Sequence, residues 1–153
     1  MNKRKVIDRF CAELRAQFDL LKRASETARV DATDEESRAR SKYDTQGLEA
    51  SYLAAGQAGR AEELAATIAT FSAAPFPTFR QRDAIAEGAL VETLLERERN
   101  WFLLAPCAGG LSINLDGAEI TVLGPGAPLR RQLQGLKSGD RLKQPHLSIQ
   151  SVS

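Results

Sequence analysis

Apolar residues recur four and three positions apart near the start of the chain. One such set lies on a single helix face and comprises Ile7, Cys11, Leu14, Phe18 and Leu21. From residue 6 to about residue 71 the chain lacks proline and is rich in Ala, Leu, Glu, Arg and Gln, which favour helices. The pattern therefore predicts a long N-terminal helix with one apolar stripe.

A second helical arm is predicted from about Lys42. It repeats the four-three spacing near its far end, at Leu64, Ile68 and Phe71. Between the arms, residues 30–37 form the predicted turn, where Thr33 and Glu36 fit a capping box that opens the second helix. Arms of about 25 to 30 residues would make an antiparallel coiled-coil hairpin roughly 40 Å long at 1.5 Å per residue.

Three glycines interrupt the second arm. Each of them, Gly47, Gly56 and Gly59, weakens a helix by about 1 kcal/mol relative to alanine. We therefore expect a bend or some fraying there.

The pattern changes near residue 75. Pro75 and Pro77 end the helical region, and strand-like runs follow at 89–94, 99–104, 120–123 and 147–152. A short helix is predicted from Pro128 to Leu133, with proline in its first turn and Gly135 after its end. The predicted class is α+β, with a hairpin over 1–74, a linker over 75–80 and an antiparallel sheet with one helix over 81–153.

Composition excludes several classes of protein. The 153 residues are 42% apolar and 27% charged, which is typical of a soluble globular domain, and the net charge of +1 gives no strong global field. No apolar run approaches the roughly 20 residues that cross a bilayer, and no signal-peptide core follows the basic start. We expect a cytoplasmic monomer without a membrane partner. Cys11 and Cys107 fit reduced, buried thiols.

Two charged clusters are candidate sites. Four carboxylates crowd the predicted turn, namely Asp31, Asp34, Glu35 and Glu36, and form either a solvated loop or a functional tip. Four cations lie at the start, namely Lys3, Arg4, Lys5 and Arg9, and either contact RNA phosphates or keep the terminus soluble. His146 has no neighbours at metal-ligand spacing and is interpreted as a surface residue.

A motif in the second half resembles a known family. Pro128, Leu129, Leu133, Gly135, Gly139 and Asp140 spell P-L-x-x-x-L-x-G-x-x-x-G-D, each with a local structural reason. This resembles the FKBP-like C-terminal domain of the bacterial Gre transcript-cleavage factors. The order of an acidic-tipped hairpin, a linker and this domain covers nearly the whole chain and is similar to the Gre arrangement.

The resemblance implies a partner and a mechanism. Gre proteins insert their finger into the secondary channel of RNA polymerase, where tip carboxylates help to hold a Mg²⁺ ion and a water while the polymerase hydrolyses backtracked RNA. It implies that Asp34 and Glu36 share Mg²⁺ with the polymerase only in the complex, and that the protein is no enzyme by itself. The implied docking residues are Gly126, Pro128, Leu129, Arg130 and Arg131.

The tip departs from the family pattern, which usually reads D-L-x-E-N-A-x-Y. Asp31 and Asp34 keep the spacing of the two acids, but Arg38 then occupies the aromatic position. Alignment on Tyr43 instead places Glu36 at the first acid and Ala39 at the second. The tip is therefore acidic without one defined carboxylate pair.

Three hypotheses of function follow. A factor that stimulates cleavage and a channel binder that modulates or inhibits polymerase without cleavage both remain open. A non-polymerase adaptor or chaperone-like module is the third. A prolyl isomerase is disfavoured because the second half supplies few aromatic residues to line a pocket, namely Phe76, Phe79, Trp101 and Phe102.

Overall fold

The computed structural model describes residues 1–33 and 46–153. Within these ranges the elements run in the order α1 (Lys3–Thr33), α2 (Gln46–Ala73), β1 (Leu90–Leu95), β2 (Glu98–Leu104), β3 (Ser112–Leu115), β4 (Ala118–Leu123), α3 (Pro128–Leu133), β5 (Arg141–Leu142) and β6 (Leu147–Val152). The predicted α+β class is confirmed, with helices first and a sheet with one short helix second.

Helix α1 buries a stripe that differs from the predicted one at its start. Val6, Phe10 and Leu14 are buried, four residues apart, whereas Ile7 and Cys11 are only half-buried. The two stripes share Leu14 and lie on adjacent faces of the helix, so tertiary contacts near the start select the face one residue earlier.

The end of α1 also differs from the prediction. The helix continues to Thr33, three residues past the expected start of the turn at Val30. Residues 34–37 of that expected turn lie outside the described residues.

Helix α2 passes through all three of its glycines as one uninterrupted element. The expected weak points at Gly47, Gly56 and Gly59 therefore do not break the helix. At Gly56 and Gly59 a Cβ atom would meet no atom of the described residues within 4 Å, so no close packing within this part of the chain requires glycine there.

The six strands form one sheet in the order β3-β4-β2-β1-β6-β5. The predicted antiparallel sheet is wrong at one pairing, because β2 and β4 run parallel, with Leu103 opposite Val122. The reason is the short strand β3, which the four-residue run Ser112–Leu115 did not reveal. Since β3 pairs with β4 as an antiparallel hairpin, β4 returns alongside β2 in the same direction.

Both faces of the sheet carry buried apolar side chains. One face joins α3 in a buried apolar cluster made of Ile85, Ala89, Val91, Leu104, Leu123, Leu133, Leu147, Ile149 and Val152. On the opposite face Leu90, Leu103 and Val122 are fully buried as well. Alternation along the strands therefore supplies apolar side chains to two faces rather than one.

The chain forms two compact units, residues 12–68 and residues 1–11 with 69–153. The start of α1 and the end of α2 thus belong with the sheet. In that unit the Phe10 and Phe71 ring centroids are 6.0 Å apart, and those of Phe71 and Phe76 are 5.3 Å apart. These tilted ring pairs join the two helices to the segment that follows them.

Candidate functional site

The acidic tip lies at the edge of the described chain. Asp31 belongs to the last turn of α1. Asp34, Glu35 and Glu36 lie outside the described residues. The tip carboxylates and their shared Mg²⁺ therefore stay predictions.

The motif in the second half has the local structure that its residues predicted. Helix α3 begins at Pro128 and ends at Leu133, and Gly135 follows with a φ of +87°. Gly139 has a φ of +94°, and the next side chain, Asp140, accepts a hydrogen bond from the Lys137 amide at 2.8 Å. Left-handed glycines end the helix and close the turn, since a side chain disfavours that conformation.

The predicted docking residues divide into two groups. Gly126, Pro128 and Arg131 are exposed, and Leu129 is half-buried against the apolar cluster of the sheet. These four leave an accessible surface at the start of α3. Their contact with a polymerase stays a prediction.

Arg130, the fifth predicted docking residue, is buried and fully engaged. Its guanidinium donates to the Ala105 carbonyl at 2.6 Å, the Leu123 carbonyl at 3.1 Å and the Glu87 carboxylate at 2.9 Å. Its side chain is 7% exposed, whereas that of Glu87 is 46% exposed. Arg130 therefore ties the ends of β2 and β4 to α3, and its charge faces the interior of the unit.

The same end of the domain holds one of the two cysteines. Cys107 is half-buried and forms no disulfide with the other described cysteine, Cys11. Burial and, secondly, the negative charge of Glu87 raise the pKa of this thiol. Cys107 is therefore held in its protonated form, as expected of a structural thiol.

The four basic residues at the start of the chain also fall into two groups, one engaged in contacts and one exposed. Lys3 donates to the backbone oxygen of Pro77 at 2.5 Å and to that of Ser153 at 3.0 Å, and its ammonium lies 4.9 Å from the Phe79 ring centroid. Burial lowers the pKa of Lys3 to about 8. Lys3 thus fastens the first turn of α1 to its own unit.

Arg4, Lys5 and Arg9 are exposed on the same helix. Arg4 also lines a pocket of about 470 Å³ with Lys3 and Phe76. RNA contact by these side chains stays a prediction.

A further group of basic side chains is not indicated by any local sequence pattern. Arg97, Arg141 and His146 line one pocket at the end of the sheet. Arg97 is distant in the chain from Arg141 and His146, and the pairing of β6 with both β1 and β5 brings it to them. His146 is exposed, which confirms its interpretation as a surface residue.

Two other classes of site are absent from the described ranges. Residues 1–33 and 46–153 contain no group of three or more His, Cys, Asp or Glu side chains placed to hold a metal ion. No helix in this part of the chain is long and apolar enough to span a bilayer.

Comparison with known proteins finds no matching family model and no matching curated protein. Among solved structures, the chain is similar to GreA factor homolog 1 (Gfh1) of Thermus thermophilus, with 15% identity, a TM-score of 0.37, and coverage of 97% of this chain and 93% of that one. It is also similar to Gfh1 of Thermus aquaticus, with 17% identity, a TM-score of 0.34 and coverage of 92% of each chain. Similarities of this size are too small to assign the chain to a family.

Proposed function

We propose that this protein is a transcription elongation factor-like protein that binds RNA polymerase and modulates elongation. The observation that carries the proposal is the order of its elements. Two helices of 31 and 28 residues flank an acidic segment, and a sheet domain follows them with its P-L-x-x-x-L-x-G-x-x-x-G-D motif folded as helix, cap and turn. This is the arrangement that the sequence resemblance to the Gre factors implies.

The chemistry of the tip supports a role for a cation. Helix α1 has no basic residue in its last turn, and the three residues after Thr33 are all acids. The segment from Asp31 to Glu36 holds four carboxylates and no basic residue, so these like charges repel one another, and a nearby cation would offset that repulsion. Mg²⁺ prefers such oxygen ligands and in a two-metal site stabilises the oxygens of a phosphoryl displacement. In this proposal Asp31, Asp34, Glu35 and Glu36 perturb or complete the polymerase's own centre.

The accessible residues at the start of α3 are the proposed docking surface. Gly126, Pro128 and Arg131 are exposed, and the buried Arg130 holds their segment in place. The polymerase contact would therefore use Arg131 as its cation, whereas Arg130 would act only through the shape of the segment. The exposed Arg4, Lys5 and Arg9 would lie close to the nascent RNA.

The experiment is transcript cleavage and elongation by a stalled, backtracked bacterial elongation complex with the full-length protein and Mg²⁺. We expect bound protein to change the rate of cleavage or of elongation. The tip variant Asp34→Ala with Glu35→Ala and Glu36→Ala should keep binding and lose that change.

A matched variant controls for the loss of three charges. Asp19→Ala with Glu62→Ala and Glu63→Ala removes three exposed carboxylates from the same two helices away from the tip. It should act as the parent protein does. Absence of polymerase binding together with unchanged cleavage and elongation would contradict the proposal.

A second candidate, an adaptor that binds another protein through the hairpin, is favoured by one observation. Leu20, Tyr52 and Leu53 are 68%, 70% and 57% exposed on α1 and α2. Large apolar side chains at such exposure are typical of protein-binding surfaces when they cluster. For an adaptor, Leu20→Ser with Leu53→Ser would abolish partner binding, while the tip variant would leave it unchanged.

A further inference from the structure

An open pocket of about 480 Å³ lies at one end of the sheet, beside the β1–β2 turn and the β5–β6 segment. Its lining consists of Leu94, Glu96, Arg97, Arg141, Leu142, His146, Leu147 and Ser148. The volume is in the range of small-molecule sites. None of these residues belongs to the acidic tip or to the proposed docking surface.

Strand pairing fixes the floor of this pocket. Ser148 on β6 is opposite Leu94 on β1 and opposite Arg141 on β5. Residues directly opposite each other point to the same face of a sheet, so an apolar, a hydroxyl and a guanidinium side chain form one row. The Ser148 hydroxyl oxygen is 2.8 Å from the Gln150 amide nitrogen, which donates to it. Ser148 therefore keeps its own proton to donate.

The basic side chains of the pocket lack partners in the described part of the chain. Among the described residues, Arg97, Arg141 and His146 make no side-chain hydrogen bond or ion pair, unlike Arg99 and Arg130, which are paired with carboxylates. The one carboxylate in the lining, Glu96, forms no ion pair with them in the described part of the chain. Two guanidinium groups facing one carboxylate leave a net positive pocket.

The turn that carries Arg97 is built from unfavourable residues. Glu96 and Arg97 have φ values of +50° and +76°. The other two-residue hairpin of the sheet adopts the same signs with Asp116 and Gly117, at +53° and +77°, and Asp-Gly is a preferred sequence for this turn. Folding alone therefore favours Asn-Gly or Asp-Gly at 96 and 97. Non-glycine residues held in this conformation cluster at functional sites.

From these observations we propose that the pocket binds the phosphate group of a small phosphorylated ligand. Guanidinium groups bind phosphate through paired N–H donors, and here Arg97 comes from the β1–β2 turn while Arg141 comes from strand β5. The Ser148 hydroxyl and the His146 ring supply further donors. Leu94 forms an apolar floor for the organic part of the ligand.

The test follows backbone amide NMR resonances of the full-length protein during titration at constant ionic strength. The probes are inorganic phosphate, adenosine monophosphate and, as the matched compound without phosphate, adenosine. We expect saturable shifts confined to residues 94–97 and 141–148 with the first two probes and none with adenosine. Equal shifts with chloride at the same ionic strength would overturn the proposal.

Substitutions of the charged pocket residues should change the affinity for phosphate in opposite directions. Arg97→Ala and Arg141→Ala should each weaken phosphate binding about tenfold, as expected for one charge-assisted contact. Glu96→Gln should tighten it several-fold, because it removes a like charge from the rim. Arg82→Ala removes an exposed arginine elsewhere in the unit and should change nothing. Unchanged binding in both pocket arginine variants, or binding of an acidic peptide but not of phosphate, would overturn the proposal.

A double variant separates binding from folding. Glu96→Asn with Arg97→Gly supplies the preferred residues of the turn, so it should raise Tm by a few degrees while it weakens phosphate binding. A lower Tm with unchanged binding would assign these side chains to stability alone and overturn the proposal.

Discussion

At the scale of single residues, two of the predicted functional cations have structural roles. Lys3 and Arg130 both point their charges at backbone oxygens of their own unit. A sequence marks a residue as charged but does not show which way its side chain points. Their burial makes both of them measurable by stability rather than by binding.

Lys3 should make stability depend on pH in a known direction. Burial lowers the pKa of Lys3 from 10.5 to about 8, so the unfolded state binds this proton more tightly. The penalty of burying the ammonium is complete below pH 8 and disappears as the pH rises to 10.5. The free energy of unfolding should therefore increase with pH across this window, as the penalty of burying Lys3 is lost. Urea unfolding at several pH values should show that Lys3→Met removes this contribution.

The matched control is Lys5→Met, which removes an exposed lysine of the same helix turn. It should retain the parent's rise between pH 8 and 10.5. A Lys3→Met variant with the same pH slope as the parent would contradict the role of Lys3.

Arg130 should be the more sensitive member of its ion pair. Arg130→Ala leaves the Ala105 carbonyl without its buried guanidinium donor and the Leu123 carbonyl with only the Ala105 amide, so we expect a loss of about 2–4 kcal/mol in the free energy of unfolding. Glu87→Gln keeps those bonds and removes only a half-exposed partner, so its loss should be about 1 kcal/mol or less. Urea unfolding monitored by Trp101 fluorescence, which reports on the same unit, measures both. The reverse ranking would show that the carboxylate, rather than the carbonyls, is the main partner.

At the scale of elements, local signals set the bounds of the short helix α3. Helix α3 begins and ends where Pro128 and Gly135 predicted, because proline fits a first helical turn and glycine fits the left-handed position after a helix. Strand β3 and the parallel β2–β4 pair were not foreseen, since a four-residue run carries little periodicity and pairing direction depends on connections.

Glycines in two elements should respond oppositely to alanine. Gly56 and Gly59 lie within α2, where an added Cβ atom would contact none of the described residues within 4 Å, so Gly56→Ala with Gly59→Ala should stabilise by about 1 kcal/mol per site. Gly88 has a φ of +85°, and a Cβ there would lie 2.7 Å from Pro77 Cδ and 2.8 Å from the Pro75 carbonyl oxygen. Gly88→Ala should therefore destabilise by more than about 1 kcal/mol.

Thermal unfolding by circular dichroism measures both changes. The first variant should raise Tm and helical signal, and the second should lower Tm. A fall in Tm for the α2 variant would indicate that its glycines are required by contacts outside the described residues.

At the scale of the whole molecule, two compact units suggest a division of labour within the proposed function. The acidic segment follows α1 in the unit of residues 12–68, and the docking surface belongs to the unit of residues 1–11 and 69–153. Binding and effect on polymerase should therefore be separable by substitution.

The separation is tested with two variants in one assay. Arg131→Glu, an exposed charge reversal on α3, should weaken polymerase binding about tenfold or more, because a rim charge of the wrong sign repels its partner. At saturating concentrations of the Arg131→Glu variant, its effect on elongation should match that of the parent protein. The tip variant should bind normally and have no effect at any concentration. Surface plasmon resonance and the elongation assay measure the two properties, and equal loss of both in both variants would contradict the division.

The amino-acid pattern was enough to predict the class of fold, the two long helices, the bounds of α3 and the acidic segment between the helices. These features depend on residues close together in the chain, where periodicity, proline and glycine act directly on the backbone. Contacts between distant parts of the chain set the buried face at the start of α1 and the parallel pairing of β2 and β4. They also direct the Lys3 and Arg130 side chains toward backbone oxygens and place Arg97 and Arg141 in one pocket. Each of these joins residues that are distant in the chain, or depends on which face another element covers. Neither sequence spacing nor composition specifies such contacts.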